Sequence, residues 1–357
     1  MSSYLYPIEK ALIQFPIIAF VFTIPFILYN YRRYGSISFI RSFVLFTFIF
    51  YLQCAFYLVV LPLPDPSVIV NNTGSFMQLV PFNFIREFIN YSSFDYRDLG
   101  TIFIAIKESV FTQPIFNVFL TMPFGIYLGY YFKQDIRKVL VYSVLLSLFF
   151  EITQLTGIYG FYPRPYRLFD VDDVFLNTLG GVFGCLINRF VGFFLPSREE
   201  IDVANLKKSE KVGYVRRLIG VLIDVLFVTA LTVLIMNFVS LNNLDILVIF
   251  YLYFVLVPVI FKGKTLGKKF VNLKLVVVDS RVSLFIHLIV RYGFIYFLII
   301  GIQSVMNFRL LVIVIVSFLL SDFIIYLKRN KRLWYEVLSK TKYESEIYYK
   351  DEVNITL

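Results

Sequence analysis

The sequence predicts an all-α fold: a polytopic integral membrane helical bundle of about nine transmembrane helices, arranged as five plus four in two modules. Composition is the first reason, because 59% of the 357 residues are hydrophobic and only 16% are charged. The second is a mean hydropathy of +0.75, which exceeds what a soluble domain can cover with polar surface. The third is a series of apolar runs of about 20 residues, each long enough to cross a bilayer as a helix.

The apolar runs follow one another with short polar connections. They cover about residues 11–31, 43–61, 114–132, 139–156, 174–195, 218–239, 244–261, 284–305 and 310–327. A proline-rich segment at 62–66 ends the second run, and residues 80–91 suit an interfacial or re-entrant helix. The change in composition after Pro196 divides the chain. We expect a membrane domain at 1–196, a cytoplasmic linker at 197–213, a second membrane domain at 214–345 and a cytoplasmic tail at 346–357.

The basic residues predict how the chain is oriented. The formal net charge is +10, and most Lys and Arg residues fall in loops that lie on one side of a nine-span arrangement. The positive-inside rule makes that side cytoplasmic, so we expect the N-terminus outside and the C-terminus inside. Attraction to anionic lipid explains these charges better than nucleic-acid binding does. The expected partners are therefore membrane lipids and not nucleic acid.

The sequence offers little for a metal site. Cys54 and Cys185 both fall inside apolar runs, where a free cysteine packs as a small apolar residue. His287 is the only histidine, and it belongs to no Cys/His spacing motif. We therefore expect no bound metal, and the sequence identifies no cofactor.

The stretch FFEITQLTGIYGFYPRPYRLFDVDDVFLNTLGG, residues 149–181, is unusually polar for its surroundings. Ser147, Glu151 and Gln154 share one face of a predicted helix, and Asp170, Asp173 and Asn177 share a face of the next. In the expected topology both faces lie at the outer membrane interface. A carboxylate inside a span costs about 2.5–3.5 kcal/mol on insertion scales, which favours a functional site over simple helix capping.

Four segments of the first half resemble the VanZ-like family. They are LVPFNFIREF (79–88), NVFLTMPFGIYLG (117–129), SLFFEITQ (147–154) and RLFDVDDVFLNTLGGVFG (167–184). The resemblance covers about residues 10–195. It implies a bacterial cytoplasmic membrane protein, associated in some members with resistance to teicoplanin and lipoglycopeptide antibiotics.

The resemblance also implies which residues matter. The family pattern corresponds here to Asn117, Pro123, Gly125, Glu151, Gln154, Arg167, Asp170, Asp173, Asn177 and Gly181. We expect the polar members of this set to bind a ligand, with Arg164 or Arg167 available to pair with the carboxylates. If the protein is an enzyme, Glu151 and Asp173 are the candidate catalytic residues.

The second half is similar to the RDD family of membrane modules. The similar segments are YVRRLIGVLIDVL (214–226) and GKTLGKKFVNLKLVV (263–277), while Tyr335 and Glu336 stand where the family usually has His and Asp. Arg217 and Asp224 are seven residues apart on one predicted helix face, and we expect them to form a structural pair. The role of the basic loop at 262–274 is open, although contact with anionic headgroups is the simplest account.

These observations leave three functions open. The favoured one is binding of a polar lipid or cell-envelope lipid intermediate at the outer leaflet, with an effect on lipoglycopeptide action. The alternatives are an enzyme that modifies a lipid-linked substrate and a transporter of small solutes or lipids. The sequence does not identify the ligand, the oligomeric state or any coupling between the two modules.

Overall fold

The structure is a computed structural model of the chain. It describes residues 2–65, 69, 75–278, 282–305, 316, 317, 320, 321, 323, 324, 327 and 333–347. The predicted ninth span (310–327) and the predicted tail (346–357) lie largely outside the described residues.

The chain forms two compact units that are not contiguous in sequence. The first comprises Met1–Ile24 and Phe39–Ile201, and the second comprises Pro25–Ser38 and Asp202–Leu357. The first helix, α1 (Ser2–Tyr34), therefore contributes residues to both units.

The first unit is mostly helical. After α1 it contains α2 (Phe39–Val60), β1 (Met77–Gln78), α3 (Asn83–Tyr91), α4 (Ile102–Ala105), α5 (Ser109–Tyr130), α6 (Ile136–Leu155), β2 (Phe169–Asp170), α7 (Val171–Phe194) and most of the first turn of α8 (Arg198–Ser209). The polar segment that was expected to be a linker thus holds a 12-residue helix, α8.

The second unit contains helices and a small sheet. Its elements are the rest of α8, α9 (Tyr214–Met236), α10 (Asn243–Ile260), α11 (Leu266–Phe270), β3 (Leu273–Val277), α12 (Leu284–Val305), α13 (Trp334–Leu338) and β4 (Thr341–Ser345). Strands β3 and β4 pair antiparallel, with Leu273 opposite Ser345.

The expectation of an all-α fold is correct for most of the chain but misses this sheet. The strand at 273–277 begins inside the expected basic loop at 262–274, and its first side chains alternate between buried and partly exposed. Leu273 and Leu275 are buried in β3 and Lys274 is not. This two-residue period is typical of a strand with one face on a core.

Among the described residues, five helices are long and apolar enough to cross a membrane, which supports a multi-pass membrane protein. They are α1, α2, α6, α9 and α10. A sixth candidate joins the segment Leu99–Ala105 to α5, with a bend of 64° between them. The predicted count of about nine is thus not confirmed within the described residues.

Helices α5 and α7 pack against each other with their backbones in contact. A Cβ added at Gly125 would lie 1.8 Å from the Gly181 carbonyl oxygen, and one added at Gly184 would lie 1.9 Å from the Met122 carbonyl oxygen. Only glycine permits this approach, which is the small-residue packing common between membrane helices. The polar faces of the two helices are consequently held close together.

The segment between α2 and α5 is anchored to the start of α7. Strand β1 pairs parallel to β2, with Gln78 opposite Asp170. The Asp172 carboxylate accepts the backbone N–H groups of Phe82, at 2.6 Å, and Phe84, at 3.0 Å. An acidic side chain at a helix N-terminus satisfies amide groups that would otherwise lack a partner. Asp172 therefore fixes the start of α3.

The expected pair between Arg217 and Asp224 does not form. The Arg217 Nη1 atom lies 2.7 Å from Glu336 Oε1. Asp224, which is fully buried, accepts hydrogen bonds from Tyr253 Oη at 2.7 Å, from the Gly267 N–H at 2.7 Å and from the Thr265 hydroxyl. Helical spacing alone could not reveal these partners, because α11 and α13 are distant in sequence from α9.

Candidate functional site

The polar residues predicted from the sequence line one cavity in the first unit. The cavity has a volume of about 520 Å³ and lies among α2, α5, α6 and the segment that leads into α7. Its polar lining consists of Ser109, Thr112, Gln113, Asn117, Glu151, Gln154, Arg167, Asp170, Asp173 and Asn177. Its apolar lining consists of Leu58, Val59, Leu61, Pro62, Phe116, Leu120, Phe150 and Leu168.

Helix α6 supplies the buried carboxylate. Glu151 is 2% exposed, and its Oε2 atom accepts the backbone N–H of Asp170 at 2.9 Å. One turn further along, the Gln154 amide donates to the Val59 carbonyl oxygen at 3.0 Å, which ties α6 to α2. The shared helix face that the spacing predicted is therefore present, although the two side chains have different partners.

Helix α7 supplies the facing groups. Asp170 is its N-cap, and the Asp170 side chain accepts the Asp172 N–H at 2.8 Å. Asp173 and Asn177 follow one and two turns into the helix on the same face. Both line the cavity, so the structure brings together all seven ligand-binding residues that the sequence singled out.

Two side chains of α5 hold α7 in register. Asn117 Nδ2 donates to Asp173 Oδ1 at 2.6 Å, and the Thr121 hydroxyl donates to the Asn177 carbonyl oxygen at 2.7 Å. Asn117, which the family pattern singled out, thus lies beside the α6–α7 cluster. Thr121 was not singled out from the sequence, because a lone threonine in an apolar run gives no signal.

One buried acceptor at the cavity has no protein partner within the described chain. Asn177 is 3% exposed, and its Oδ1 atom has no hydrogen bond. Asn177 Nδ2 donates to Ser147 Oγ at 2.9 Å, and the Ser147 hydroxyl donates to the Asp173 carbonyl oxygen at 3.3 Å. An unsatisfied buried acceptor of this kind costs about 1–3 kcal/mol.

Arg167 is one of the two arginines that were expected to pair with the carboxylates of this cluster. Arg167 is exposed and lines the cavity, yet it forms no ion pair with any carboxylate among the described residues. Its guanidinium group is thus available to a ligand. Nearby, burial raises the pKa of the Asp170 carboxyl, and the hydrogen bond from the Asp172 N–H offsets part of this rise. Burial likewise raises the pKa of Tyr166 to about 12.

A smaller cavity adjoins the first. It has a volume of about 110 Å³ and shares Ser109, Gln113, Asp170 and Asp173 with the larger one. Gln113 lies four residues before Asn117 on α5, a spacing that would have revealed it from sequence once Asn117 was chosen. The same polar side chains therefore line both cavities.

The cavity lining consists mainly of hydrogen-bond acceptors and apolar side chains. Within the described part of the chain, no group of three His, Cys, Asp or Glu residues is placed to hold a metal. Carboxylate and amide oxygens that face a cavity accept hydrogen bonds from hydroxyl or amine groups. Helices α2 and α5 supply much of the apolar wall opposite these groups.

Comparisons with known proteins address the same segment. Residues 48–195 match the VanZ/LLP1 family model, and this range contains every residue that lines the cavity. No curated protein and no solved structure matches the chain significantly. The match supports the VanZ-like resemblance of the first half, and it places the candidate site inside the matched region.

Proposed function

We propose that the first unit binds the polar headgroup of a lipid or cell-envelope lipid intermediate in the 520 Å³ cavity. The observation that carries this proposal is the lining of the cavity, in which three carboxylates (Glu151, Asp170 and Asp173) and the exposed Arg167 face the same space as an apolar wall. A headgroup with hydroxyl or amine donors would pair with these carboxylates. Arg167 adds a cation for a phosphate on the same ligand.

Each carboxylate keeps one oxygen for a ligand. Glu151 uses Oε2 for the Asp170 N–H, and Asp173 uses Oδ1 for Asn117. The second oxygen of each has no hydrogen bond to the described protein. A bound donor can therefore be recognised without breaking any contact that holds α5, α6 and α7 together. The binding site is pre-organised in this sense, which lowers the cost of binding.

The family match indicates the biological setting of this proposal. VanZ-type domains are linked to glycopeptide resistance and to membranes, and the five apolar helices agree with a membrane location. We infer that the protein acts in the bacterial cytoplasmic membrane, with the cavity at the outer leaflet and the C-terminus inside. Binding of an envelope lipid there would reduce the action of teicoplanin-type lipoglycopeptides.

The test compares matched substitutions in the full-length protein. The double variant Glu151→Ala with Asp173→Ala removes two of the three carboxylates that line the cavity, and the single variant Asn177→Ala removes an amide from the same lining. Both should abolish drug resistance at unchanged membrane abundance. Glu108→Ala is the control, because Glu108 is a carboxylate at the N-cap of α5, the helix that packs against α7, but does not line the cavity. Resistance that persists in both site variants would refute the proposal.

A second candidate is an enzyme that modifies a lipid-linked substrate. The observation in its favour is that Glu151 and Asp173 both face the cavity with one oxygen free, so either could act as a general base. Lipid extracts from cells with and without the protein distinguish the two functions. Binding alone leaves the lipid profile unchanged, whereas turnover produces a new or depleted species that disappears in the Glu151→Gln variant.

For the second unit, we infer an RDD-like membrane module. The segments that carry this resemblance meet in space, since the Gly267 N–H and the Thr265 hydroxyl both donate to Asp224. Gly220 and Gly267 also pack backbone to backbone, because a Cβ at Gly267 would lie 1.9 Å from the Gly220 carbonyl oxygen. This close packing predicts that Gly267→Val destabilises the second unit. Thermal denaturation of the purified protein would detect the loss.

A further inference from the structure

The second unit contains a larger cavity with a strongly uneven lining. Its volume is about 760 Å³. One part of its wall carries Lys262, Lys264, Lys269 and Lys274, which come from the α10–α11 turn, from α11 and from β3. The rest is mainly apolar and comes from α9 and α10. No acidic residue lines the cavity within the described part of the chain.

The turn that carries two of the lysines is held rigidly. The Gly263 N–H donates to the Pro258 carbonyl oxygen at 2.6 Å, and the Gly263 carbonyl oxygen accepts the Leu275 N–H at 3.0 Å. Gly263 has a φ of +92°, and a Cβ there would lie 2.1 Å from the Leu275 carbonyl oxygen. Only glycine fits this position, so Lys262 and Lys264 leave the turn in fixed directions.

The basic part of the cavity has a surplus of positive charge. Lys264 pairs with Glu346 at 2.6 Å. Lys274 lies opposite Glu344 in the β3–β4 register, but Glu344 forms its ion pair with Lys342 at 2.8 Å. Two glutamates are thus available to three lysines (Lys264, Lys274 and Lys342) at this edge of the sheet. Lys262 and Lys269 add further positive charge. Clustered ammonium groups of this kind attract phosphate as point charges.

The apolar part of the cavity lies along two candidate membrane helices. Phe227 and Leu231 on α9 are 42% and 39% exposed, and Ile260 at the end of α10 is 69% exposed. The lining begins at Lys262, just after the end of α10, and continues back along α10 and across to Leu231 on α9. Because a helix rises 1.5 Å per residue, this lining extends from the end of α10 well into the apolar parts of both helices. A free phosphate would leave this wall unused, whereas an acyl chain would cover it.

We propose that this cavity binds an anionic phospholipid, with its phosphate among the four lysines and an acyl chain along α9 and α10. Basic pockets between transmembrane helices recognise anionic headgroups in this manner. The site is separate from the cavity of the first unit, and it does not depend on the proposed function of that cavity.

The experiment measures lipid binding to the purified full-length protein by native mass spectrometry. Dioleoylphosphatidylglycerol and dioleoylphosphatidylcholine, which share their acyl chains, are titrated in parallel. We expect tighter binding of the anionic lipid. A basic residue near an anionic surface contributes roughly fivefold in affinity, so replacing all four lysines by glutamine should weaken that binding by at least about tenfold. Inorganic phosphate in excess should not displace the lipid.

The matched control replaces four exposed lysines of the same unit that lie outside the cavity. These are Lys207, Lys208, Lys211 and Lys340. This variant carries the same net charge as the cavity variant and should bind like the unmodified protein. A further variant, Leu231→Trp, fills the apolar part and should weaken binding while all lysines remain.

Three results would overturn the proposal. One is equal binding of the two lipids by the unmodified protein, which requires no variant to fold. Another is an equal loss of affinity in the cavity and control variants, which would indicate a general charge effect. The last is displacement of the lipid by inorganic phosphate, which would identify a free anion as the ligand.

Discussion

Gly180→Ala tests whether the close packing of α5 and α7 maintains the candidate site. A Cβ at Gly180 would lie 2.1 Å from the Val118 carbonyl oxygen and 2.4 Å from the Thr121 hydroxyl. Cβ contacts shorter than 3.0 Å essentially never occur, so the backbones must separate locally by about 0.9 Å, the difference between 3.0 and 2.1 Å. Val118 cannot relieve this contact by a side-chain rotation, because its backbone oxygen is involved.

The separation acts directly on the site. Asn117 Nδ2 and Asp173 Oδ1, now 2.6 Å apart, would move to about 3.5 Å, where a hydrogen bond is lost. The contact between Thr121 and the Asn177 carbonyl oxygen would lengthen from 2.7 Å to about 3.6 Å. Overpacking costs about 3 kcal/mol where the surroundings cannot adjust, and alanine recovers about 1 kcal/mol of helix propensity. We therefore expect a net loss of about 2 kcal/mol.

Thermal denaturation of the purified protein measures this loss, and lipid binding measures the effect on the site. About 2 kcal/mol corresponds to a fall of roughly 4–8 °C in melting temperature for a folding unit of this size. Gly192→Ala is a matched control on the same helix, since its added Cβ would meet only Tyr130 Cδ2 at 3.7 Å. That variant should be as stable as the unmodified protein or slightly more stable. Equal melting temperatures for the two variants would refute the packing argument.

Two further predictions concern charges outside the candidate site. Glu336→Gln removes the carboxylate that two buried guanidinium groups face at 2.7 and 3.8 Å, so denaturation should show a loss of about 3–5 kcal/mol. Glu344→Gln breaks an ion pair that is 43% exposed on both sides and should cost about 0–1 kcal/mol; similar losses for the two would contradict the burial argument. Ser93→Ala removes the hydroxyl that most strongly lowers the pKa of Glu108. A lowered carboxyl pKa stabilises the fold above the unfolded pKa, and this stabilisation is lost as pH falls from the unfolded pKa through the folded pKa. Because the folded pKa is higher in the variant, its stabilisation should be smaller and its loss complete at a higher pH. An NMR titration that shows no rise in the Glu108 pKa would exclude this contact.

The sequence predicted the helices of the first unit well because apolar length is a strong signal. The bounds of α2 and α6 differ from the expected spans by only a few residues. Strand β3 was missed because five residues of alternating polarity within a basic segment resemble a loop. Its pairing with β4 depends on residues about 70 positions later in the chain, and no local pattern records such a partner.

The candidate site was predictable in its composition but not in its contacts. Spacing placed Glu151 and Asp173 on facing helices, and the cavity contains both. The sequence could not show that Asp172, one residue before Asp173, points away to cap α3. It also could not show that Arg217 has Glu336 rather than Asp224 as its partner, since long-range partners depend on how α9 packs.

The division of the chain into units has a practical consequence for dissecting it. The second unit includes Pro25–Ser38, and this segment makes specific bonds there. Asn272 donates to the Arg32 carbonyl oxygen at 2.7 Å, and Ser36 donates to the Asn205 carbonyl oxygen at 2.9 Å. A gene fragment that starts after the first 200 residues would lack the acceptor and the donor of these bonds. Expressing the second unit by itself therefore calls for a rearranged coding sequence in which the segment 25–38 is retained, not for a simple truncation.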